Sequence, residues 1–91
     1  MDFTWDPAKA AANRRVHGVD FADAVAVFED PLALTREDDY PLEARFVTAG
    51  RDFLDRVLVV AWTWDGEAIR PIMARRATPR ERRQYGERED A

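Results

Sequence analysis

The segment over residues 57–63 (VLVVAWT) constrains the fold of this chain more than any other. It is dense in β-branched residues, and both of its alternating sets of side chains are apolar. A strand with this pattern is buried on both faces, as a central strand of a sheet is. The apolar run ends at Trp64, far short of the roughly 20 residues that span a bilayer. The segment therefore predicts the middle of a sheet in a soluble domain.

Weaker strand patterns surround this segment. They cover residues 3–5, 32–35, 45–50 and about 67–74, the pattern at 32–35 being weaker than that at 45–50, with a polar, turn-like stretch at 36–41. Asp65-Gly66 is the signal of a two-residue type I′ turn before the last strand. Pro71 cannot donate a hydrogen bond to a ladder, so we expect it at the unpaired edge of its strand or at a bulge.

Two helices are predicted ahead of the main strands. Asp6 can cap the first helix, Pro7 suits its first position, and Gly18 suits the left-handed position that ends it. The second helix begins at Asp20, carries a one-sided apolar stripe at residues 21, 24, 25 and 28, and ends before Asp30-Pro31.

A last helix starts at the capping box Thr78-Pro79-Arg80-Glu81, and we expect it to end at Gly86. The element order β-α-α-β-β-β-α predicts an α+β fold, a compact antiparallel sheet with helices packed on it. We expect one domain over residues 1–91, with a frayed tail at 86–91.

Missing residue types exclude several classes of enzyme. The chain has no cysteine, no serine and one histidine, His17. Disulfides, cysteine and serine nucleophiles and multi-histidine zinc sites are therefore excluded. The acids Asp38, Asp39 and Glu43 lack the ordered spacing of a metal site, so we expect no metal and no cofactor. The N-terminus does not resemble a signal peptide, which predicts a cytoplasmic protein.

Positive charge is concentrated near the C-terminus. The formal net charge is −4, yet residues 70–83 contain six arginines and only one acid, Glu81. Arginine recognises phosphate or carboxylate with two parallel hydrogen bonds. A strongly acidic remainder disfavours a repressor that binds long DNA on its own.

Lys9, Asn13 and His17 recur every four residues along the first helix, which places them in one stripe. The stripe is either a row facing a substrate, in which His17 or Lys9 transfers protons, or a solvated helix face that ends in a histidine.

A second group, Arg70, Arg75 and Arg76, lies at the end of the last strand. Regular alternation sends Arg70 and Arg75 to opposite faces, whereas a bulge near Pro71 can bring them together. These arginines either hold phosphate oxygens or form a solubilising sheet edge.

The last helix carries a third group, Arg80, Arg82, Arg83 and Tyr85 together with Glu81. Its arginines can bind an RNA backbone or an acidic partner, or they can form an exposed helix face in which Glu81 is only the capping acid. The three tryptophans, Trp5, Trp62 and Trp64, can stack on bases but are more typical of a core.

One series of motifs runs through residues 3–85. It comprises Trp5-Asp6-Pro7-x-Lys9-x-x-x-Asn13, His17-Gly18-Val19-x-Phe21, Ala24, Phe28-x-Asp30-Pro31, Glu43-x-Arg45-Phe46, Gly50, Arg70, Ala74-Arg75-Arg76-Ala77-Thr78, Glu81 and Tyr85. In this order and spacing the series resembles the BrnT family of type II toxin–antitoxin toxins. The chain departs from the family at Met73, where relatives usually have serine, and at Pro71, which interrupts an isoleucine-rich strand.

The resemblance implies a RelE-like ribonuclease that cleaves mRNA and inhibits translation. It also implies a BrnA-type ribbon-helix-helix antitoxin that neutralises the toxin, with operator DNA bound only through the complex of the two. By motif, the family's functional positions fall on Lys9, His17, Arg70, Arg75, Arg76, Glu81 and Tyr85.

The implied chemistry needs no metal, because RNA supplies its 2′-hydroxyl as the nucleophile. We assign stabilisation of the phosphorane to Arg70 and Arg75, and proton transfer to His17, since imidazole has an ordinary pKa of about 6.5. Lys9 or Glu81 is the second proton-transfer group, so that one of the pair acts as general acid and the other as general base. Backbone binding falls to Arg76, Arg80, Arg83 and Tyr85. The alternative is a non-catalytic binding module or co-repressor, which holds an acidic protein partner through the C-terminal arginines.

Overall fold

The fold is an antiparallel sheet with helices on it, in a computed structural model that describes residues 1–39 and 41–89, with side chains as far as residue 86. Helix α1 (Pro7–His17) is followed by α2 (Phe21–Ala24), which continues as a 3₁₀ helix (Val25–Glu29). The strands are β1 (Leu34–Asp38), β2 (Arg45–Arg51), β3 (Val57–Asp65) and β4 (Ala68–Arg76), and helix α3 (Pro79–Glu89) comes last.

The sheet has the order β1-β2-β3-β4, and each strand pairs with its neighbour in antiparallel fashion. Strand β3 lies inside the sheet, as its apolar pattern predicts. The α+β class is therefore confirmed.

One face of the sheet, the helix-covered face, carries the core. Val60, Trp62 and Ala74 of this face pack with Phe21 and Val27 from the helical segments. Burying a large apolar side chain stabilises the fold by about 1.5–3 kcal/mol, so this layer supplies most of the driving force. The opposite face, the open face, is the one that carries Val47, Ala61 and Met73, which lie side by side on β2, β3 and β4. Helix α3 lies over one end of the open face, where Glu81 and Gln84 line a groove with Val47, Ala49 and Val59.

The outer edge of β4 is covered by the N-terminal third of the chain. Ile69 donates its N–H to the carbonyl of Asp2 and accepts from the N–H of Thr4, at 2.8 and 3.0 Å. The side-chain amide of Asn13 in α1 satisfies the backbone of Ala74 in the same way: it donates to the carbonyl and accepts from the N–H. An edge strand with unpaired N–H and C=O groups invites pairing with other chains, and these contacts prevent it.

The structure differs from the sequence-based prediction in some details of the strands and of the turn. The strand at residues 3–5 is a single parallel bridge between Phe3 and Ile69. The possible strand at 32–35 is instead regular over Leu34–Asp38, so the predicted turn at 36–41 begins later. The hairpin loop is Gly66 and Glu67, and only Gly66 has a positive φ, so this is not the predicted type I′ turn, which needs two.

Helix ends were predicted well except at Gly86. Asp6 accepts from Ala8 N–H at 2.9 Å, and Gly18 is left-handed at φ 69°. Helix α3, however, runs through Gly86 to Glu89, because Gly86 does not adopt the left-handed conformation of a helix end. Of the predicted tail, residues 90 and 91 lie outside the described part. None of the described helices is long and apolar enough to cross a membrane.

Candidate active site

A β-bulge interrupts the pairing of β3 with β4. Ala61 pairs with Met73 whereas Trp62 pairs with Pro71, so Ile72 is an extra residue on β4. The imino nitrogen of Pro71, which has no hydrogen to donate, lies in this irregular stretch of an edge strand. Of the two placements that the sequence allows for Pro71, the bulge is therefore confirmed.

The bulge brings two arginines to one face. Arg70 lies opposite Thr63 and Arg75 opposite Val59, and Thr63 and Val59 share the open face of β3. The two arginines are therefore on the same side of the sheet, about 13 Å apart along the strand direction. If all residues of β4 paired regularly, their separation of five positions would send one of them into the core.

The stripe on α1 is fixed to the sheet by its middle member. Asn13 is buried, and its amide donates to the carbonyls of Val19 and Ala74 at 2.9 Å and accepts from Ala74 N–H at 3.1 Å. Lys9 and His17, one turn away on either side, are exposed. The stripe is thus a helix face along β4, with its anchor in the centre and a potential proton-transfer group at each end.

Two adjoining concavities connect this stripe to the open face. The first, of about 80 Å³, is lined by Lys9 and Arg70, with Asp6, Glu43 and Arg45 around them. The second is lined by Lys9, His17, Ile72 and Met73 among others. Lys9 and Ile72 belong to both. His17, Lys9 and Arg70 therefore lie along one continuous rim, which we call the α1–β4 rim.

The side chain of Arg70 lies at this rim and has a hydrogen-bond donor that is not used. Its Nη2 lies 3.6 Å from Glu43 Oε2. Its Nε is buried and has no hydrogen-bond partner among the described residues. A buried donor without an acceptor costs about 1–3 kcal/mol, and an anion entering the concavity would relieve that cost.

Arg75 and Glu81 form a two-pronged ion pair. Nη1 and Nη2 of Arg75 donate to the two carboxylate oxygens of Glu81 at 2.8 and 3.0 Å. Glu81 also completes the predicted capping box, since it accepts from Thr78 N–H at 2.8 Å and its own N–H donates to Thr78 Oγ1. The hydrogen bond from Arg75 lowers the pKa of Glu81 to about 2 against the opposing effect of burial. Glu81 is therefore ionised at neutral pH and a weak base.

Tyr85 does not lie on the surface. It is 1% exposed, and its hydroxyl donates to Asp30 Oδ2 at 2.5 Å while the Arg51 guanidinium lies over its ring. Burial and this hydrogen bond raise the pKa of Tyr85 to about 12. The ring of Tyr85 is therefore not open to RNA in this structure, and its RNA-binding role stays a prediction; its hydroxyl contacts Asp30 and its ring contacts Arg51 of β2, which holds α3 in place.

The remaining predicted arginines are not gathered at the rim. Arg76 is exposed and lies opposite Leu58, so its side chain starts on the helix-covered face, away from Arg75. Arg80 and Arg83 are exposed on α3. The tryptophans are mostly structural: Trp62 is buried, Trp5 packs edge-on against Phe21, and Trp64 is half-exposed.

Two residues at the rim were not among the predicted site residues. Glu43 and Arg45 line the concavity with Lys9 and Arg70, and Arg45 Nε donates to Glu43 Oε1 at 3.0 Å. The motif Glu43-x-Arg45-Phe46 is the sequence signal that could have pointed to them. Within residues 1–39 and 41–86, no three histidine or carboxylate side chains are grouped closely enough to hold a metal ion.

Taken together, the fold and the rim define a small α+β protein with a cationic surface suited to phosphate. The family described as "ribonuclease toxin, BrnT, of type II toxin-antitoxin system" matches residues 5–81. The chain belongs to this BrnT family, and the resemblance carried by its motifs is confirmed.

A solved relative has the same fold. The 1.1 Å crystal structure of the Brucella abortus ribonuclease toxin BrnT is 26% identical, with a TM-score of 0.66. The match covers 86% of this chain and 97% of the Brucella chain. No curated protein sequence gives a significant match.

Proposed function

We propose that this protein is an endoribonuclease that cleaves mRNA at the α1–β4 rim and thereby inhibits translation. Membership of a ribonuclease toxin family supports the general activity. The observation that carries the proposal is that Lys9 shares one concavity with Arg70 and the adjoining one with His17. A phosphodiester bound there contacts a guanidinium and two groups that can transfer protons.

The proposed reaction uses the 2′-hydroxyl of RNA as the nucleophile. A general base removes the 2′-hydroxyl proton, the oxygen attacks the neighbouring phosphorus, and the bond from phosphorus to the 5′-oxygen breaks. A general acid protonates the departing 5′-oxygen, and the products are a 2′,3′-cyclic phosphate and a 5′-hydroxyl. No metal takes part in this scheme.

We assign proton transfer to His17 and Lys9, and charge stabilisation to Arg70. Glu81 is the weaker candidate, since a carboxyl group with a pKa of about 2 holds no proton to donate and accepts one poorly at neutral pH. Arg75 shares the face of Arg70, but both of its terminal nitrogens are engaged by Glu81. It therefore stabilises charge only if RNA draws it away from Glu81.

We further propose that a BrnA-type ribbon-helix-helix antitoxin neutralises the protein in the cytoplasm. Membership of a type II toxin–antitoxin family supports a protein antitoxin. The formal net charge of −4 disfavours operator binding by the toxin alone, so DNA contact would come through the complex.

Cleavage of a single-stranded RNA in the presence of a chelator tests the mechanism. We expect fragments that end in a 2′,3′-cyclic phosphate, and a loss of about 10²–10⁴-fold in rate for His17→Ala and for Lys9→Ala, the range of one proton-transfer group. Arg14→Ala is the control, because Arg14 is an exposed arginine of the same helix that pairs with Asp20. Full activity of both rim variants, or fragments ending in a 3′-hydroxyl, would refute the assignment.

The exposed arginines of α3, Arg80 and Arg83, favour a second candidate, a module that holds an acidic protein. High salt would weaken such binding, as it would weaken binding to RNA. Only the ribonuclease yields RNA fragments, so the same assay separates the two functions.

A further inference from the structure

Two arginines flank one position of β3 on the open face. Arg70 pairs with Thr63 on one side. On the other side, Phe46 pairs with Trp62, which places Arg45, one residue earlier, beside Thr63. The Thr63 hydroxyl donates to the carbonyl of Ala44 at 2.6 Å and fixes this end of β2. The Cα atoms of the two arginines are thus separated by two strand spacings, about 10 Å.

One carboxylate bridges the two guanidinium groups. Oε1 of Glu43 accepts from Arg45 Nε at 3.0 Å, and Oε2 lies 3.6 Å from Arg70 Nη2. Both arginines are only partly exposed, so their long side chains are already ordered towards a common point. An anion with several oxygens, such as a phosphate, can be shared by two guanidinium groups in the same way.

The position of Arg45 along the rim sets it apart from His17. It lines the concavity that holds Lys9 and Arg70, but not the one that holds His17. A phosphate held jointly by Arg45 and Arg70 therefore lies farther from His17 than one placed between Lys9 and His17.

We propose that Arg45 is a substrate-binding residue of this site that holds the RNA phosphate next to the scissile one, with Arg70 between the two phosphates and donating to both. This inference rests on the proposed ribonuclease function. Glu43 is the positioning residue that keeps the two guanidinium groups directed at that phosphate. Arg45 thus contributes to RNA affinity and register, while His17 and Lys9 act on the bond that breaks.

The test separates binding from cleavage. The full-length protein is titrated with a single-stranded RNA carrying 2′-O-methyl groups throughout, which lacks the nucleophile, over a series of salt concentrations. We expect Arg45→Ala to raise Kd about tenfold, the loss of one hydrogen-bonded charge contact. The slope of log Kd against log salt should fall by about 0.7, the value for one phosphate contact on a single strand. On cleavable RNA, kcat/KM should fall mainly through KM.

Two further variants keep the result interpretable. Arg14→Ala removes the same charge from an exposed site on α1 and should leave Kd within about twofold, which reflects long-range charge alone. Arg45→Lys keeps the charge but loses the planar guanidinium that can donate two parallel hydrogen bonds. It should therefore keep the slope of log Kd against log salt and still raise Kd. It also conserves the side-chain stem, and a urea midpoint equal to that of wild type excludes misfolding as the cause of weaker binding.

An Arg45→Ala protein that binds RNA like Arg14→Ala would overturn the inference while leaving the ribonuclease proposal intact. A wild-type protein that cleaves no RNA but binds the modified strand in an Arg45-dependent way would refute the cleavage mechanism and support the binding role. A wild-type protein that neither binds nor cleaves RNA would refute both.

Discussion

The two faces of the sheet use the same four strands for different purposes. The helix-covered face presents Val60, Trp62 and Ala74, and it is closed by apolar side chains. The open face presents Arg45, Arg70 and Arg75 around an apolar centre, and α3 lies over only one end of it. Because successive residues of a strand point to opposite faces, neighbouring residues can serve stability and the proposed RNA binding separately. Substitutions on the two faces should therefore have different effects.

The largest expected effect comes from Asn13→Ala, which breaks the contact between α1 and the edge that joins the two faces. Three buried hydrogen bonds are lost and two carbonyls and an N–H are left without partners, so unfolding should become easier by about 3 kcal/mol or more. Urea denaturation followed by tryptophan fluorescence measures the change. Lys9→Ala, one turn away and exposed, is the control and should leave the urea midpoint unchanged; equal midpoints for all three proteins would contradict the anchoring role.

A matched pair of valines tests the comparison directly. Val60 is fully buried on the helix-covered face, while Val59 on the open face lines the groove under α3. Val60→Ala should cost about 2–3 kcal/mol, since the core cannot collapse onto the space left behind. Val59→Ala should cost about 1 kcal/mol, since it enlarges a groove that already exists. Thermal unfolding of both variants gives the difference in stability between them. A larger loss of stability for Val59→Ala than for Val60→Ala would contradict the assignment of the core to the helix-covered face.

An effect smaller than those of Asn13→Ala and Val60→Ala is pH-dependent and belongs to the Arg75–Glu81 pair on the open face. The pKa of Glu81 is lowered in the folded protein, from 4.5 to about 2, so its contribution to stability is present above pH 4.5 and is lost as the pH falls towards 2. Glu81→Gln should lower stability by about 1–2 kcal/mol at pH 7, and the difference from wild type should vanish near pH 2.

Melting temperatures between pH 2 and pH 7 measure this dependence. Glu29→Gln, a change at an exposed glutamate of the 3₁₀ helix, is the control. A gap between wild type and Glu81→Gln that persists unchanged at pH 2 would show that the ion pair is not its source.

Local signals predicted most of the fold, because they act over a few residues. The cap at Asp6, the left-handed Gly18 and the capping box at Thr78 are determined by neighbouring backbone groups. The helix end predicted at Gly86 was wrong for the opposite reason: nothing local forces a helix to end there, and the residue before it, Tyr85, is held by Asp30 and Arg51, which are distant in sequence.

The site was less predictable, because its geometry depends on pairing between distant strands. The sequence allowed a bulge near Pro71, but only the register with β3 shows that Arg70 and Arg75 share a face. The burial of Tyr85 depends on Asp30, 55 residues earlier in the chain, and no periodicity within α3 signals it. Arg45 lies in a strand that the sequence identified, but its closeness to Arg70 follows from the order of the strands.

The extra residue at Ile72 makes the number of residues in β4 as important as their identity. Loss of that single codon would remove the bulge and leave the faces of β4 unchanged, because Pro71 opposite Trp62 would be followed directly by Met73 opposite Ala61. An inserted residue would instead leave two residues of β4 without a partner on β3. One deletion between Arg70 and Arg75 should therefore be tolerated better than one insertion, and relatives that keep both arginines on one face should separate them by five positions with a bulge or by four without one.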